Sequence, residues 1–301
     1  MKRLFIQIFF LTVIITNAFA QNFKNEFNEL LTKNDTIKQR ILLQKWEAEN
    51  NQDPDLYVAY FNYYVNRSKQ EIIELNSNTE GKAYDEIHYS NKTYKDPIGF
   101  IQGVSIFNPF LVKKAFYYAD KGMAIAPARL DIHLDKILIF SKMKDWNNFT
   151  QEIIKTIDYG STIENKWLWK DNKPIEDPKE FLFENIQTYQ TLLYDTNDDS
   201  LLNYMKQIAE TILNYYPENV ESLSNLSLVY ITNNEYDKAL IPLLKATKIA
   251  PTNNFVLNNI AHAYKMKGDK KNAIVYYKLV QKYGDIDSSN YAQQQIVELG
   301  K

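Results

Sequence analysis

Cysteine is absent from all 301 residues. That excludes disulfides, thiol catalysis, thiolate-held metals and a lipid on a processed N-terminal Cys. Histidine is nearly as scarce. His88, His133 and His262 are the whole supply, and no two of them form an H-x3-H pair. A metal site wants two or more such ligands close together, so no metal is expected, and nothing points to an organic cofactor. No G-x-S-x-G element occurs, which removes the strand-to-helix turn that exposes a hydrolase serine. No glycine-rich phosphate loop follows a strand, because strand-like alternation is almost missing. The acidic run Asp195-Thr-Asn-Asp-Asp199 lacks the glycine and distal Glu of an EF-hand loop and reads as helix capping. Charge is nearly balanced, with 35 basic and 37 acidic residues and a net charge of −2. Without a basic stripe, nucleic acid and anionic membrane surfaces are poor partners. An enzyme is not expected, since no nucleophile, metal set or cofactor loop emerges.

One long apolar run is present, and it lies at the N-terminus. Lys2 and Arg3 precede Leu4 to Ile15, and Ala18-Phe19-Ala20 follows. This is the layout of a secretory signal, with small side chains at the two places a signal peptidase requires. Cleavage between Ala20 and Gln21 is expected, giving a signal peptide over 1–20 and a mature chain over 21–301. The run falls short of the roughly 20 apolar residues that span a bilayer. No stable membrane insertion is therefore expected after cleavage. The protein should be exported, to the periplasm or the medium.

From Gln21 onward the periodicity is helical almost everywhere. Helices are expected over 23–33, 36–50, 54 to about 75, 108–126, 128–142, 145–159, 179–195, 199–215, 219–231, 236–249, 253–266, 270–282 and 287–299. The helix opened by Asp53-Pro54 is unusually aromatic, with Tyr57, Tyr60, Phe61, Tyr63 and Tyr64. Two stretches break the pattern. Residues 76–106 are rich in Asn, Ser, Thr and Gly and read as an irregular insertion or short hairpin. Residues 160–177 hold Trp167-Leu168-Trp169 and end near Pro174 and Pro178. No linker rich in Gly, Ser or Pro divides the chain, so a single α-helical repeat domain is expected.

What organises the helices is a spacing. Pro217 and Pro251 lie 34 residues apart, and each is followed eight positions later by an asparagine, Asn225 and Asn259. Pro54 to Asn62 repeats the unit, and Pro127 to Asp135 nearly does. Aligned on their prolines, 217–250 and 251–284 match throughout. Leu223 pairs with Leu257, Leu226 with Ile260 and Tyr230 with Tyr264, on one face of a first helix. Small residues recur where two helices would cross: Ser227 with Ala261, and Ala239 with Ala273. Leu243 with Tyr277 and Ala246 with Val280 complete the packing face. Asn234 and Gly268 occupy the turn, where a left-handed residue ends a helix.

This pattern resembles the tetratricopeptide repeat (TPR) family, whose units are stacked helix–turn–helix pairs with this period. The likeness is specific over 217–284 and degenerate upstream, where Met205 and Phe149 stand in alanine positions. It implies an all-α fold, a right-handed α-solenoid of TPR-like repeats with two irregular insertions. A polar-backed capping helix over 286–299 would carry Gln293, Gln294 and Gln295 on its exposed side. The chain as a whole looks like the exported TPR proteins of Gram-negative bacteria. The resemblance further implies a protein- or peptide-binding scaffold of the cell envelope that uses the concave face.

Asn62, Asn225 and Asn259 would point into that groove, with Asp135 and Thr191 in the degenerate units and His262 beyond Asn259. An amide offers donors and an acceptor to an extended backbone; the plainer alternatives are that these are solvated polar residues in an Asn-rich chain, or that they bond to adjacent helices. A clamp for a terminal carboxylate is not expected, because 219–231 and 253–264 contain no Lys or Arg. A second reading is an envelope glycan- or peptidoglycan-binding module, with Trp167 and Trp169 presenting flat faces to a sugar. Its plainer counterpart is that these tryptophans plug the end of a helix pair.

Overall fold

A computed structural model describes residues 22–76, 85–87 and 99–301. The signal segment with Ala20 and Gln21, His88, and much of the first insertion lie outside the described residues. Thirteen α-helices are present among those described: α1 (22–32), α2 (Thr36–Glu49), α3 (Pro54–Ser68), α4 (Pro109–Ile125), α5 (Leu130–Lys142), α6 (Trp146–Thr162), α7 (Pro178–Asp195), α8 (Leu202–Tyr215), α9 (Val220–Thr232), α10 (Tyr236–Ile249), α11 (Asn254–Lys267), α12 (Lys270–Tyr283) and α13 (Ile286–Leu299). The architecture is a TPR-like helical solenoid, as the periodicity predicts. None of these helices is long and apolar enough to cross a membrane.

Local chemistry starts the helices where the sequence places them. Asp35, Asp53, Asn108, Asp145, Asn219, Asn253, Asp269 and Asp285 each accept a hydrogen bond from a backbone N–H of the first turn. Each such cap satisfies an N–H that has no partner inside the helix and contributes about 1 kcal/mol. Asn219 and Asn253 stand 34 residues apart, so the caps keep the same period as the prolines.

Contacts group the chain into two compact units. The first comprises residues up to Met143 together with Leu168–Lys173. Its core joins Phe23 and Phe27 of α1, Leu43 and Trp46 of α2, and Leu56, Tyr57, Tyr60 and Tyr63 of α3. Phe23 stacks on Trp46 at 5.7 Å, and the Trp46 Nε1 donates to Asp53 at 3.1 Å, tying the ring to the cap of α3. The aromatic run in α3 faces α4, where Tyr118 stacks on Tyr60 at 4.2 Å and on Tyr64 at 5.5 Å.

The sequence reading extended α3 to about Leu75, and here the structure corrects it. The helix stops at Ser68, and Lys69–Asn76 forms a strand, β1. It pairs antiparallel with β3 (Gly99–Phe107), from Lys69 opposite Phe107 to Asn76 opposite Phe100. A short β2 (Asp85–Ile87) lies on the other side of β3, in the order β1-β3-β2. The β-branched pair Ile72-Ile73 favours a strand, and the distant partner that secures it cannot be seen in a local window. The first insertion thus joins a three-stranded sheet whose edge strand β1 is the segment expected to be helical.

The second unit comprises Lys144–Trp167 and Pro174–Lys301. Its helices α9 to α13 pack in sequence as the repeat predicts. Ser227, Ala239, Ala261 and Ala273 are all fully buried at the crossings, and Leu243 and Tyr277 fill the space between helix pairs. Asn234 (φ 59°) and Gly268 (φ 87°) both adopt the left-handed turn conformation. In the degenerate part of the array, Met205 and Phe149 stand at positions where the repeat usually has alanine, and both are buried. Helix α13 covers Tyr277 and Val280 with Ala292 and Leu299. One capping glutamine departs from expectation: Gln295 is buried and accepts a hydrogen bond from Lys265 Nζ.

Candidate functional site

In the second unit, α7, α9 and α11 line a groove of about 560 Å³. Thr191, Asn225 and Asn259 all line it, so two asparagines of the Pro-x7-Asn spacing come together with the threonine at the same position of a degenerate unit. One helical turn before each lies a second row, Gln187, Glu221 and Phe255, which lines the same groove. These are the residues four positions after each repeat start, and the sequence reading followed only the row at eight. The missed signal was available. Phe255 is a large apolar side chain at a position with no packing role, and it is 79% exposed.

The asparagines are not equivalent. Asn225 is buried, and its Nδ2 donates to Gln187 Oε1 at 2.8 Å, while Gln187 Nε2 donates back at 3.5 Å. Both ends of this amide are therefore engaged by α7. Its first role is to fix two helices and form the polar floor. Asn259 donates from Nδ2 to Ser224 Oγ at 3.1 Å, and its Oδ1 makes no hydrogen bond among the described residues. That oxygen, with one remaining N–H, is available to an extended chain. The plainer alternative, bonding between adjacent helices, thus describes Asn225 fully and Asn259 in part. His262 is partly buried on α11 and is not among the groove residues. Burial, then the nearby Lys265 charge, lowers its pKa, so it is neutral at physiological pH.

Asn62 and Asp135 belong to the first unit. Asn62 is partly buried on α3, and its side chain makes no hydrogen bond among the described residues. Asp135 sits above a buried ion network. Arg129 is fully buried, and its Nε and Nη2 donate to the two Asp131 oxygens at 2.8 Å each. Nη2 also donates to Asp55 at 2.8 Å, and Lys24 reaches Asp55 at 3.1 Å. Burial, then repulsion from Asp131, pushes the Asp135 carboxyl up to about 6, against the pull of Lys170 and Arg129. Here the residues at positions four and eight are both carboxylates, one of them already committed to Arg129.

Trp167 does not present a flat face to a sugar. Trp167 is only 1% exposed, and it packs on α6 so closely that a Cβ at Gly160 would lie 3.1 Å from its ring. Trp169, in a two-residue strand, is partly buried. His133 is buried and donates from Nε2 to the Pro127 carbonyl at 3.0 Å. No group of three or more metal-ligating side chains occurs among the described residues.

The helix pairs and the groove define the class, a helical-repeat protein with a lined channel. More particularly, the tetratricopeptide repeat profile matches residues 220–253 and 256–283, so the chain carries two such repeats there. No curated protein is significantly similar in sequence. Among solved structures the chain is similar to YrrB, a TPR protein described as having an unusual peptide-binding site. Identity is 12%, over 84% of this chain and 97% of that one, with a TM-score of 0.41. It is also similar to Tom70 of yeast, at 14% identity over 87% of this chain and 59% of that one, with a TM-score of 0.33. The assignment of repeats rests on the profile match and the packing, not on these distant likenesses.

Proposed function

We propose that the chain is a non-enzymatic protein- or peptide-binding scaffold that holds an extended segment along the groove of its second unit. The observation that carries this reading is the juxtaposition of Asn259, with unused hydrogen-bonding capacity, and Phe255, a largely exposed ring beside it. Backbone groups of an extended chain need donors and acceptors, and its side chains need an apolar wall. Val220 and Leu228 extend that wall. The Gln187–Asn225 amide pair holds the groove open before any ligand arrives, which lowers the ordering cost of binding.

Binding of short capped peptides to the purified protein tests this. Phe255→Ala with Asn259→Ala should weaken capture about tenfold or more while leaving helicity unchanged. Equal capture by wild type and variant would sink the reading. The same proposal places the scaffold outside the cytoplasm, supported by the Lys2-Arg3, apolar and Ala18-Phe19-Ala20 sequence. Fractionation and N-terminal sequencing should find Gln21 first in an exported pool; a cytoplasmic chain that retains Met1 overturns that part.

A further inference from the structure

A second depression adjoins the groove in the same unit and shares Val220, Glu221 and Asn253 with it. Its volume is about 570 Å³. Its character differs from the groove's. The groove has one charged side chain, Glu221, and no Lys or Arg. The depression gathers three carboxylates, Glu180, Glu218 and Glu221, against the single Lys179. Its wall is aromatic. Phe183 and Tyr216 meet edge to face at 4.9 Å, and Asn165 Nδ2 donates to the Tyr216 hydroxyl at 2.7 Å, so the rings are held in place. Three acids around a fixed aromatic pair suit a cationic side chain. The apolar stem can lie on the rings while the head reaches a carboxylate.

The geometry points to a ligand of two parts: an internal, extended segment whose apolar side chain sits against Phe255, flanked by a Lys or Arg that occupies the Phe183–Tyr216 depression. This rests on the peptide-binding reading above and narrows it. A free carboxyl terminus or an acidic flank is disfavoured, because no cation lines the groove to receive it and Glu221 repels it. Glu180, Glu218 and Glu221 are all exposed, so each carboxylate is free to meet a partner without a prior cost of burial.

The test uses an array of short N-acetylated, C-amidated peptides against the full chain, followed by anisotropy titration of the best binder. Replacing its flanking Arg by Gln should weaken binding about tenfold, and replacing it by Glu should weaken it further. Added salt should reduce the Arg–Gln difference. Glu180→Lys with Glu218→Lys, both outside the groove lining, should remove the preference for Arg and leave the Gln peptide's affinity unchanged, with circular dichroism as a check on folding. Three results overturn the inference alone: binders without enrichment in Lys or Arg, equal affinity for the Arg and Glu peptides, or tighter binding of a free carboxyl terminus. If no peptide binds, or Phe255→Ala leaves capture intact, the underlying reading falls with it.

Discussion

At the scale of single residues, burial decides which side chains remain available for function. Asn225 and Asn259 look identical in the sequence, yet one is closed by Gln187 and the other keeps an open oxygen. Asp135 shows the same divergence in the first unit, where its carboxyl is pushed up to about 6 by burial and Asp131. The sign of its effect on stability follows. A carboxyl with a raised native pKa binds its proton more tightly folded than unfolded, so its contribution favours folding below the ordinary carboxylate range and is lost as pH rises through about 6. Asp135→Asn should therefore stabilise the protein at pH 7 by about 1–2 kcal/mol and change little at pH 4. Urea denaturation at the two pH values checks this; an equal effect at both would refute it. The groove positions Asn225 and Asn259 could be read from the sequence, because each lies eight residues after the proline that opens its repeat. Which amides are consumed could not, since Gln187 and Asn225 are brought together by packing across 38 positions.

At the scale of elements, helices were legible and the strands were not. Caps and prolines mark helix starts in a few consecutive residues, and α9, α11, α12 and α13 begin close to where those signals stand. Strand β1 depends on pairing with β3, so a helical window running out of α3 had nothing to stop it before Ser68. The inter-helix turns offer a paired test of local chemistry. Gly268 has φ of 87° and nothing within 4 Å of where a Cβ would stand, so the penalty of a side chain is purely conformational. Gly268→Ala should cost about 1 kcal/mol. At the matching turn Asn234 holds φ of 59°, and Asn234→Gly should be neutral or slightly stabilising. Thermal unfolding of both variants measures the contrast, and equal losses at the two sites would contradict it.

At the scale of the whole molecule, the second unit is a linear stack, so its last member determines whether the stack ends cleanly. Helix α13 covers Tyr277 and Val280, both fully buried. Removing residues 286–301 should expose them and cost several kcal/mol, at about 1.5–3 kcal/mol for each large apolar side chain uncovered. Lower soluble yield and increased binding of an apolar dye are the expected readouts; an unchanged melting temperature would show that the stack needs no cap. The repeat architecture was legible at this scale because a period survives substitution, as Met205 and Phe149 demonstrate by remaining buried in alanine positions. The depression beside the groove was not, because its three carboxylates come from separate elements. The equivalence of residues 217–250 and 251–284 has a further consequence. Each copy supplies one side chain to each of the two rows along the channel, so an in-frame duplication of 217–250 would lengthen the channel by one rung while reusing contacts the core already makes. On the peptide-binding proposal the channel would act as a ruler, its length set by the number of copies.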